Sequence, residues 1–134
     1  MQTNKSILLL SDSDEVIQKI REALKASHSI VYAASTLDEA LELLDYEKID
    51  VVVAESSVPG SKGTDLIEKI RSWDAKLPIV LLSNEDNEDD LELMFISASA
   101  VIPKPYKKQT IIKTITKILQ EKKLFPIEFS QLNI

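Results

Sequence analysis

Short apolar runs alternate with segments of helical period along the chain, in the order strand then helix, five times over. Several runs are nearly unbroken aliphatic stretches, as in Ile7-Leu8-Leu9-Leu10 and Pro78-Ile79-Val80-Leu81-Leu82. Continuous apolar runs are typical of parallel strands that are covered on both faces. The pattern predicts five strands, near residues 5–10, 29–34, 50–54, 78–82 and 100–103.

Apolar side chains at helical spacing predict the intervening helices. They recur at i, i+1, i+4, i+7 and i+8 in two segments, from Val16 to Leu24 and from Ile111 to Leu119. Each set therefore lines one face of a helix. Thr36 and Glu39 have capping-box spacing at the start of another helix, and Thr64 is the predicted cap of a third.

Alternating strands and helices imply right-handed crossovers and a parallel sheet with helices on both faces. Five such units predict an α/β, flavodoxin-like, doubly wound sheet of order 2-1-3-4-5 with five helices, the fourth of them around residues 88–98. In that order, ligands bind in the crevice outside the carboxyl ends of strands 1 and 3. This topology brings Asp12 and Glu55 together although they are 43 positions apart.

Composition places the chain among ordinary globular proteins, since 44% of its 134 residues are hydrophobic and 28% are charged. We predict one domain over residues 1–123 and a C-terminal tail over residues 124–134. The lack of cysteine excludes disulfides and a cysteine nucleophile. The start has no signal-peptide pattern, and no apolar run reaches the roughly 20 residues that span a bilayer. We therefore expect a cytoplasmic protein that has no membrane partner.

Charge is distributed unevenly around a net value of −6. Residues 1–103 have 9 basic and 20 acidic side chains, whereas residues 104–134 have 7 basic and 2 acidic ones. Most of the C-terminal lysines lie in one amphipathic segment, where a solvated helix face is the simplest interpretation. Because no aromatic or arginine residues alternate with these lysines, we expect no nucleic acid binding by this domain.

Four polar residues stand at the ends of predicted strands. Asp12 follows the first strand, Glu55 the third, Ser83 the fourth and Lys104, between two prolines, the fifth. Two acids, a hydroxyl and a lysine at the carboxyl ends of neighbouring strands are the components of a phosphoryl-transfer site. Each also has a simpler interpretation. Asp12 and Ser13 could serve merely to cap the first helix, and Glu55 could be a surface loop acid. Ser83 could be a plain strand-end hydroxyl, and Lys104 a solvent-exposed lysine in a turn.

These residues and their neighbours resemble the receiver domains of bacterial two-component response regulators, over roughly residues 5–121. Four motifs agree in order and spacing. They are the turn Ser11-Asp12-Ser13-Asp14, the segment Glu55-Ser56-Ser57-Val58-Pro59 followed by Gly63, the dipeptide Ser83-Asn84, and Lys104-Pro105-Tyr106. The chain is identified as a degenerate, pseudo-receiver member of this family, because glutamate occupies the position of the phosphate-accepting aspartate.

The resemblance implies a role for each candidate residue. In receivers, an aspartate attacks the phosphoryl group of a kinase phosphohistidine, while Mg²⁺ and a lysine neutralise the phosphoryl oxygens. By this resemblance Glu55 is the phosphoacceptor equivalent, Asp12 the acidic-pocket residue, Ser83 the switch hydroxyl and Lys104 the phosphoryl-pairing lysine. Val101 occupies the position where active members carry a switch aromatic. The resemblance further implies that the Lys104-Pro105 bond is cis and that Lys104 Nζ approaches a carboxylate.

The same resemblance implies a reduced metal site. Ser11 replaces the first acid of the usual pair, which leaves Asp12, Glu55 and the Ser57 carbonyl as metal ligands. Mg²⁺ binding is expected to be weak or absent, and no cofactor is required. The extra methylene of Glu55 moves its carboxylate outward by about 1.5 Å, toward Lys104 and Ser83. Attack on a phosphoryl group is disfavoured, because it tolerates little displacement of the reacting atoms.

We therefore predict a non-enzymatic signalling domain of a two-component phosphorelay, which acts through protein contacts without phosphorylation. Expected partners are a histidine kinase or a fused effector domain, and a homodimer through the fourth helix, fifth strand and fifth helix. A phosphorylation-competent receiver is the alternative. A haloacid-dehalogenase-like, Mg²⁺-dependent phosphatase is another, since Asp12-Ser13-Asp14 matches its nucleophile motif. Against the phosphatase, no acid follows Lys104 at a strand end, and Glu55 is left unexplained.

Overall fold

Five parallel strands form one sheet that has helices on both faces. A computed structural model describes residues 5–59, 61–83 and 98–132. In chain order the elements are β1 (Ser6–Leu10), α1 (Asp14–Leu24), β2 (Ile30–Ala34), α2 (Leu37–Tyr46), β3 (Val51–Glu55), α3 (Gly63–Trp73), β4 (Ile79–Ser83), β5 (Ala100–Pro103) and a C-terminal helix (Lys108–Leu132). A 3₁₀ turn at Lys25–Ser27 follows α1, and a two-residue antiparallel pair, Ser57–Val58 with Ser61–Lys62, follows β3.

The strand order is β2-β1-β3-β4-β5, and every neighbouring pair is parallel. This confirms the predicted flavodoxin-like order 2-1-3-4-5. Each strand begins and ends within one residue of its prediction. Successive side chains of a strand point to opposite faces of the sheet. A run of four aliphatic residues therefore supplies both faces at once, which explains why these strands read as unbroken apolar stretches.

Two hydrophobic cores lie on the two faces of the sheet. Leu8, Leu10, Val52 and Ala54 pack on the face covered by α2 and α3. The intervening residues of the same strands, Ile7, Leu9, Val51 and Val53, pack on the face covered by α1 and the C-terminal helix. All eight of these side chains are fully buried. We call the second side the α1 face.

Local capping explains where α1 and α2 begin. Ser13 precedes α1, and its Oγ accepts a hydrogen bond from the Val16 N–H at 3.3 Å. Thr36 precedes α2, and its Oγ1 accepts from the Glu39 N–H at 3.2 Å, which confirms the predicted cap. The prediction that Thr64 caps α3 was wrong. The helix begins at Gly63, so Thr64 lies within its first turn.

Two predictions concern the C-terminal part of the chain. The fourth predicted helix, around residues 88–98, lies outside the described residues apart from Ala98. The C-terminal helix runs on to Leu132, so the predicted boundary at residue 123 falls inside it. In the described ranges, no helix combines the length and the hydropathy needed to cross a membrane.

Candidate functional site

The carboxyl ends of β1, β3, β4 and β5 meet at one edge of the sheet, and the predicted site residues follow them. The register pairs Leu10 with Ala54 and Glu55 with Leu82. It also pairs Ser83 with Pro103, the residue before Lys104. Asp12, Glu55, Ser83 and Lys104 are therefore brought to the same edge by strand register, as predicted from the topology.

A buried hydrogen bond joins Ser11 to Glu55. The Ser11 Oγ donates to Glu55 Oε1, and the same Oγ accepts from the Ser13 N–H at 3.0 Å. Ser11 is fully buried and Glu55 is 8% exposed. Ser11 points to the same face of the sheet as Ile7 and Leu9 of β1. Glu55 likewise points to the same face as the α1-face residues of β3. The two side chains therefore meet across β1 and β3 on the α1 face.

Sequence reasoning missed this pair. It treated Ser11 only as a lost metal ligand, and it expected the Glu55 carboxylate near Lys104 and Ser83. The observed contact means that the short serine leaves room for the longer glutamate, whose carboxylate then has a hydroxyl donor. The sequence did contain a signal for this contact. Leu10 and Ala54 end the aliphatic runs of two neighbouring parallel strands and pair with each other. Ser11 and Glu55 are the next residues of these strands, so they also lie side by side.

Lys104 is exposed and its Nζ lies 5.9 Å from the centroid of the Tyr106 ring. This distance is within the usual range of a cation–π contact. Among the described residues, Lys104 forms no ion pair, so the prediction that its Nζ approaches a carboxylate was wrong there. The predicted cis Lys104-Pro105 bond is confirmed. The Lys104 N–H donates to the Ser83 carbonyl at 3.2 Å, which ties the start of this segment to β4.

Tyr106 is a site residue that sequence reasoning used only as part of a motif. The side chain is 5% exposed and packs in the core on the α1 face. Its hydroxyl is buried and has no hydrogen-bond partner among the described residues. Burial, and to a smaller extent the negative charge of Glu55, raise the pKa of Tyr106 to about 12. A phenylalanine would fill this volume without burying a hydroxyl, which makes the tyrosine notable.

The remaining predicted residues differ in exposure. Ser83 is 3% exposed and Asp12 is exposed. Val101 is half-buried and packs against the core beneath α2 and α3. Ser57 lies in the short antiparallel pair after β3.

The residues present fit a hard divalent cation poorly. Such an ion takes several oxygen ligands, usually including more than one carboxylate. Here Glu55 Oε1 already accepts from Ser11, and Asp12 is exposed. Within the described ranges, no group of three or more His, Asp or Glu side chains is gathered closely enough to hold a metal.

Comparison with known proteins places these features in context. The sequence profile of the response regulator receiver domain matches residues 7–116. The regulatory protein VanR of Enterococcus faecium is 30% identical over 120 residues, which are 89% of this chain and 52% of VanR. The alkaline phosphatase synthesis transcriptional regulatory protein PhoP of Bacillus subtilis is 26% identical over 122 residues, 90% of this chain and 51% of PhoP. The chain thus spans about half the length of these relatives.

Solved structures share the fold. A CheY-like response regulator receiver domain protein from Methanospirillum hungatei JF-1 superposes with a TM-score of 0.84 at 20% identity, covering 90% of this chain and 98% of that one. A response regulator receiver domain protein from Clostridium thermocellum gives a TM-score of 0.81 at 24% identity, covering 90% and 98%. At these identities the likeness shows the fold alone.

Proposed function

Because the chain belongs to the response regulator receiver domain family, we propose that it is a receiver of a two-component system that signals without phosphorylation, through protein contacts. The observation that carries this proposal is the hydrogen bond from Ser11 to Glu55. Family membership also favours a signalling domain over the phosphatase alternative.

The Ser11–Glu55 pair supports the loss of phosphoryl transfer in two ways. The nucleophile of a receiver must face the phosphoryl group with an unhindered oxygen in near-attack geometry. Glu55 instead has one carboxylate oxygen engaged by Ser11 and is 92% buried. A hydrogen bond to a carboxylate also lowers its electron density and hence its nucleophilicity.

The surroundings of Glu55 support the same conclusion. Phosphoryl transfer depends on positive charge beside the transferred group, supplied by a metal ion and a lysine. The donor set suits Mg²⁺ poorly, and Lys104 lies over Tyr106. Val101 has no aromatic ring or hydroxyl with which to report a change at Ser83. The proposed state of this receiver is therefore set by its own side chains, and phosphate is not needed to hold it.

Partners are proposed by analogy and by charge. Two relatives, VanR and PhoP, are named as regulatory proteins, and the matched residues are only about half of each, 52% and 51%. We propose a histidine kinase or a fused effector domain as the protein partner. Lys113 and Lys117 are exposed on the C-terminal helix, and such a basic surface suits contact with an acidic surface, including that of a second copy.

Phosphorylation is tested directly by incubating the protein with acetyl phosphate and Mg²⁺ and measuring its intact mass. We expect no phosphoryl adduct on the wild type. The Glu55→Asp variant is the matched comparison, because it restores the usual acceptor while keeping the charge. A stable adduct that maps to Glu55 would overturn the proposal and establish the phosphorylation-competent alternative.

Self-association is tested by sedimentation of the wild type over a wide concentration range. We expect a dimer that the paired substitution Lys113→Glu/Lys117→Glu weakens, with a modest dependence on salt, since exposed ion pairs contribute only about 0.2–1 kcal/mol each. Lys48→Glu/Lys76→Glu is the matched control, because both lysines are exposed outside the C-terminal helix. A wild type that stays monomeric at the highest concentration would leave only a different protein as partner.

A further inference from the structure

Tyr106 buries a hydroxyl that the proposed signalling role does not use. The side chain is 95% buried, and the hydroxyl has no partner among the described residues. An unsatisfied buried donor destabilises the folded state, so native proteins rarely keep one without a reason. In the observed arrangement, phenylalanine would fill the same space without this cost in stability. The hydroxyl of Tyr106 therefore indicates a second arrangement in which it forms a hydrogen bond.

Glu55 is the acceptor that the geometry offers. Register places Glu55, Leu82 and Ile102 in one lateral row across β3, β4 and β5. Leu82 and Ile102 pack on the α1 face in the same core as Tyr106. Glu55 and Tyr106 are thus buried on the same side of the same edge of the sheet. Ser11 is the only hydrogen-bond donor to the Glu55 carboxylate in the described part of the chain. When Ser11 is released, this buried carboxylate therefore needs another donor.

We propose that Tyr106 is the switch residue of this receiver, with a hydroxyl that donates to the Glu55 carboxylate in a second state in which Ser11 is released. The carboxylate then has two alternative hydroxyl donors, one on β1 and one after β5. The charge of Glu55 already raises the pKa of Tyr106, which agrees with their closeness. This switch needs no phosphate and no metal, and it stands apart from whether Glu55 can be phosphorylated.

The switch would act on the contact between the C-terminal helix and α1. Lys19 Nζ in α1 donates to the Tyr106 carbonyl at 3.2 Å. Two residues later the C-terminal helix begins at Lys108, whose Nζ lies 2.8 Å from Glu22 Oε2 in α1. A shift of Tyr106 toward Glu55 changes both links. A partner that binds this helix pair selects one of the two states to the extent that it binds one more tightly.

A double-mutant cycle of Ser11→Ala and Tyr106→Phe tests the switch through the equilibrium constant for urea unfolding. Alone, Ser11→Ala is expected to change this constant less than about tenfold, because Tyr106 takes over the carboxylate and only the Ser13 N–H loses its acceptor. The two single effects on the unfolding constant, multiplied together, predict a value for the double variant. The measured unfolding constant of the double variant should be about tenfold larger than that value, as expected for residues that share a partner. If the product of the two single effects agrees with the effect of the double variant within about twofold, the range for independent sites, the proposal is overturned.

Two controls make the cycle specific. Repeating it with Tyr46→Phe, a tyrosine that is 81% exposed, should give no coupling to Ser11. Repeating it in a Glu55→Ala background should remove the coupling, because the shared acceptor is gone. Coupling that persists without Glu55 would show that the two residues interact by another route and would also overturn the proposal.

Tyrosine ring carbon shifts measured by NMR give a readout that does not depend on stability. In Ser11→Ala the Cζ resonance of Tyr106 should move in the direction of a hydroxyl that donates to a carboxylate, while that of Tyr46 stays in place. If Ser11→Ala does not fold, Ser11→Cys keeps a similar shape with a much weaker donor. An unchanged Tyr106 resonance in the folded variant excludes the switch.

Discussion

The Ser11 Oγ donates a hydrogen bond to Glu55 Oε1, and so joins residues 44 positions apart at the ends of β1 and β3. Both side chains are buried on the α1 face, where the Ser13 N–H also donates to Ser11 Oγ. Ser11 thereby connects the start of α1 to Glu55, the proposed phosphoacceptor equivalent. The two proposed departures from the usual receiver, a serine for an acid and a glutamate for an aspartate, are complementary in size and in hydrogen bonding.

Ser11→Asp should destabilise the protein, because it places a second carboxylate beside that of Glu55 in a buried site. We expect a loss on the order of 3 kcal/mol in the free energy of unfolding, measured in urea at neutral pH. Thr116→Asp, at an exposed position of the C-terminal helix, is the control for adding one negative charge. A Ser11→Asp variant as stable as the control would contradict the close packing of Ser11 on Glu55.

The double variant Ser11→Asp/Glu55→Asp should bind Mg²⁺ more tightly than the wild type. Shortening position 55 while lengthening position 11 gives the acids that receivers usually have, an adjacent pair at positions 11 and 12 and an aspartate at position 55, so that three carboxylates can hold the metal. Isothermal titration with Mg²⁺ provides the measurement, and Glu55→Asp alone is the matched comparison. Equal affinities of the single and double variants would show that Ser11 does not limit the metal site.

Tyr106 should make stability fall at alkaline pH. Its pKa in the folded protein, about 12, lies above its ordinary value of 10.0. Below pH 10 the phenol is neutral in both states, whereas between pH 10 and 12 the unfolded chain releases the proton first. The free energy of unfolding therefore decreases across this range, by an amount on the order of 2 kcal/mol.

Tyr106→Phe should remove this part of the alkaline slope, whereas the exposed control Tyr46→Phe should retain it. Urea unfolding at several pH values from 9 to about 12 gives both slopes, with the upper limit set by the Tyr106 pKa. An unchanged slope in Tyr106→Phe would mean that the phenol is not protected from solvent.

Thr36→Ala should weaken the start of α2. The substitution removes the acceptor of the Glu39 N–H and leaves that donor to water. An N-cap of this kind contributes about 1 kcal/mol. Thermal and urea unfolding measure the loss, and Thr36→Ser, which keeps the hydroxyl, should recover most of it. Equal losses in the two variants would point to the methyl group rather than to the cap.

Leu9→Ala should be among the most destabilising single changes in the sheet. Leu9 is fully buried in the core on the α1 face, and its truncation leaves a cavity that costs about 2–5 kcal/mol. Ile112→Ala is the comparison, since Ile112 is 37% exposed on the C-terminal helix and should lose much less. Similar losses for the two variants would show that the centre of the sheet repacks freely.

The sequence alone determined the elements and their order. Aliphatic runs such as Ile7-Leu8-Leu9-Leu10 can form buried strands with little ambiguity, and alternation with helices leaves few permitted topologies. Strand order then brings Asp12, Glu55, Ser83 and Lys104 to one edge. These conclusions depend on periodicity and connectivity, which are properties of the backbone pattern and can be read from residue types.

Only the tertiary structure decided which of these residues contact each other. Glu55 accepts from Ser11, Lys104 lies over Tyr106, and the hydroxyl of Tyr106 is buried without a partner in the described part of the chain. Several residues with donor groups follow strands that end at the same edge of the sheet as Glu55. The choice among them depends on side-chain length, on the face to which each side chain points and on burial, and these follow from packing in three dimensions rather than from residue type and spacing.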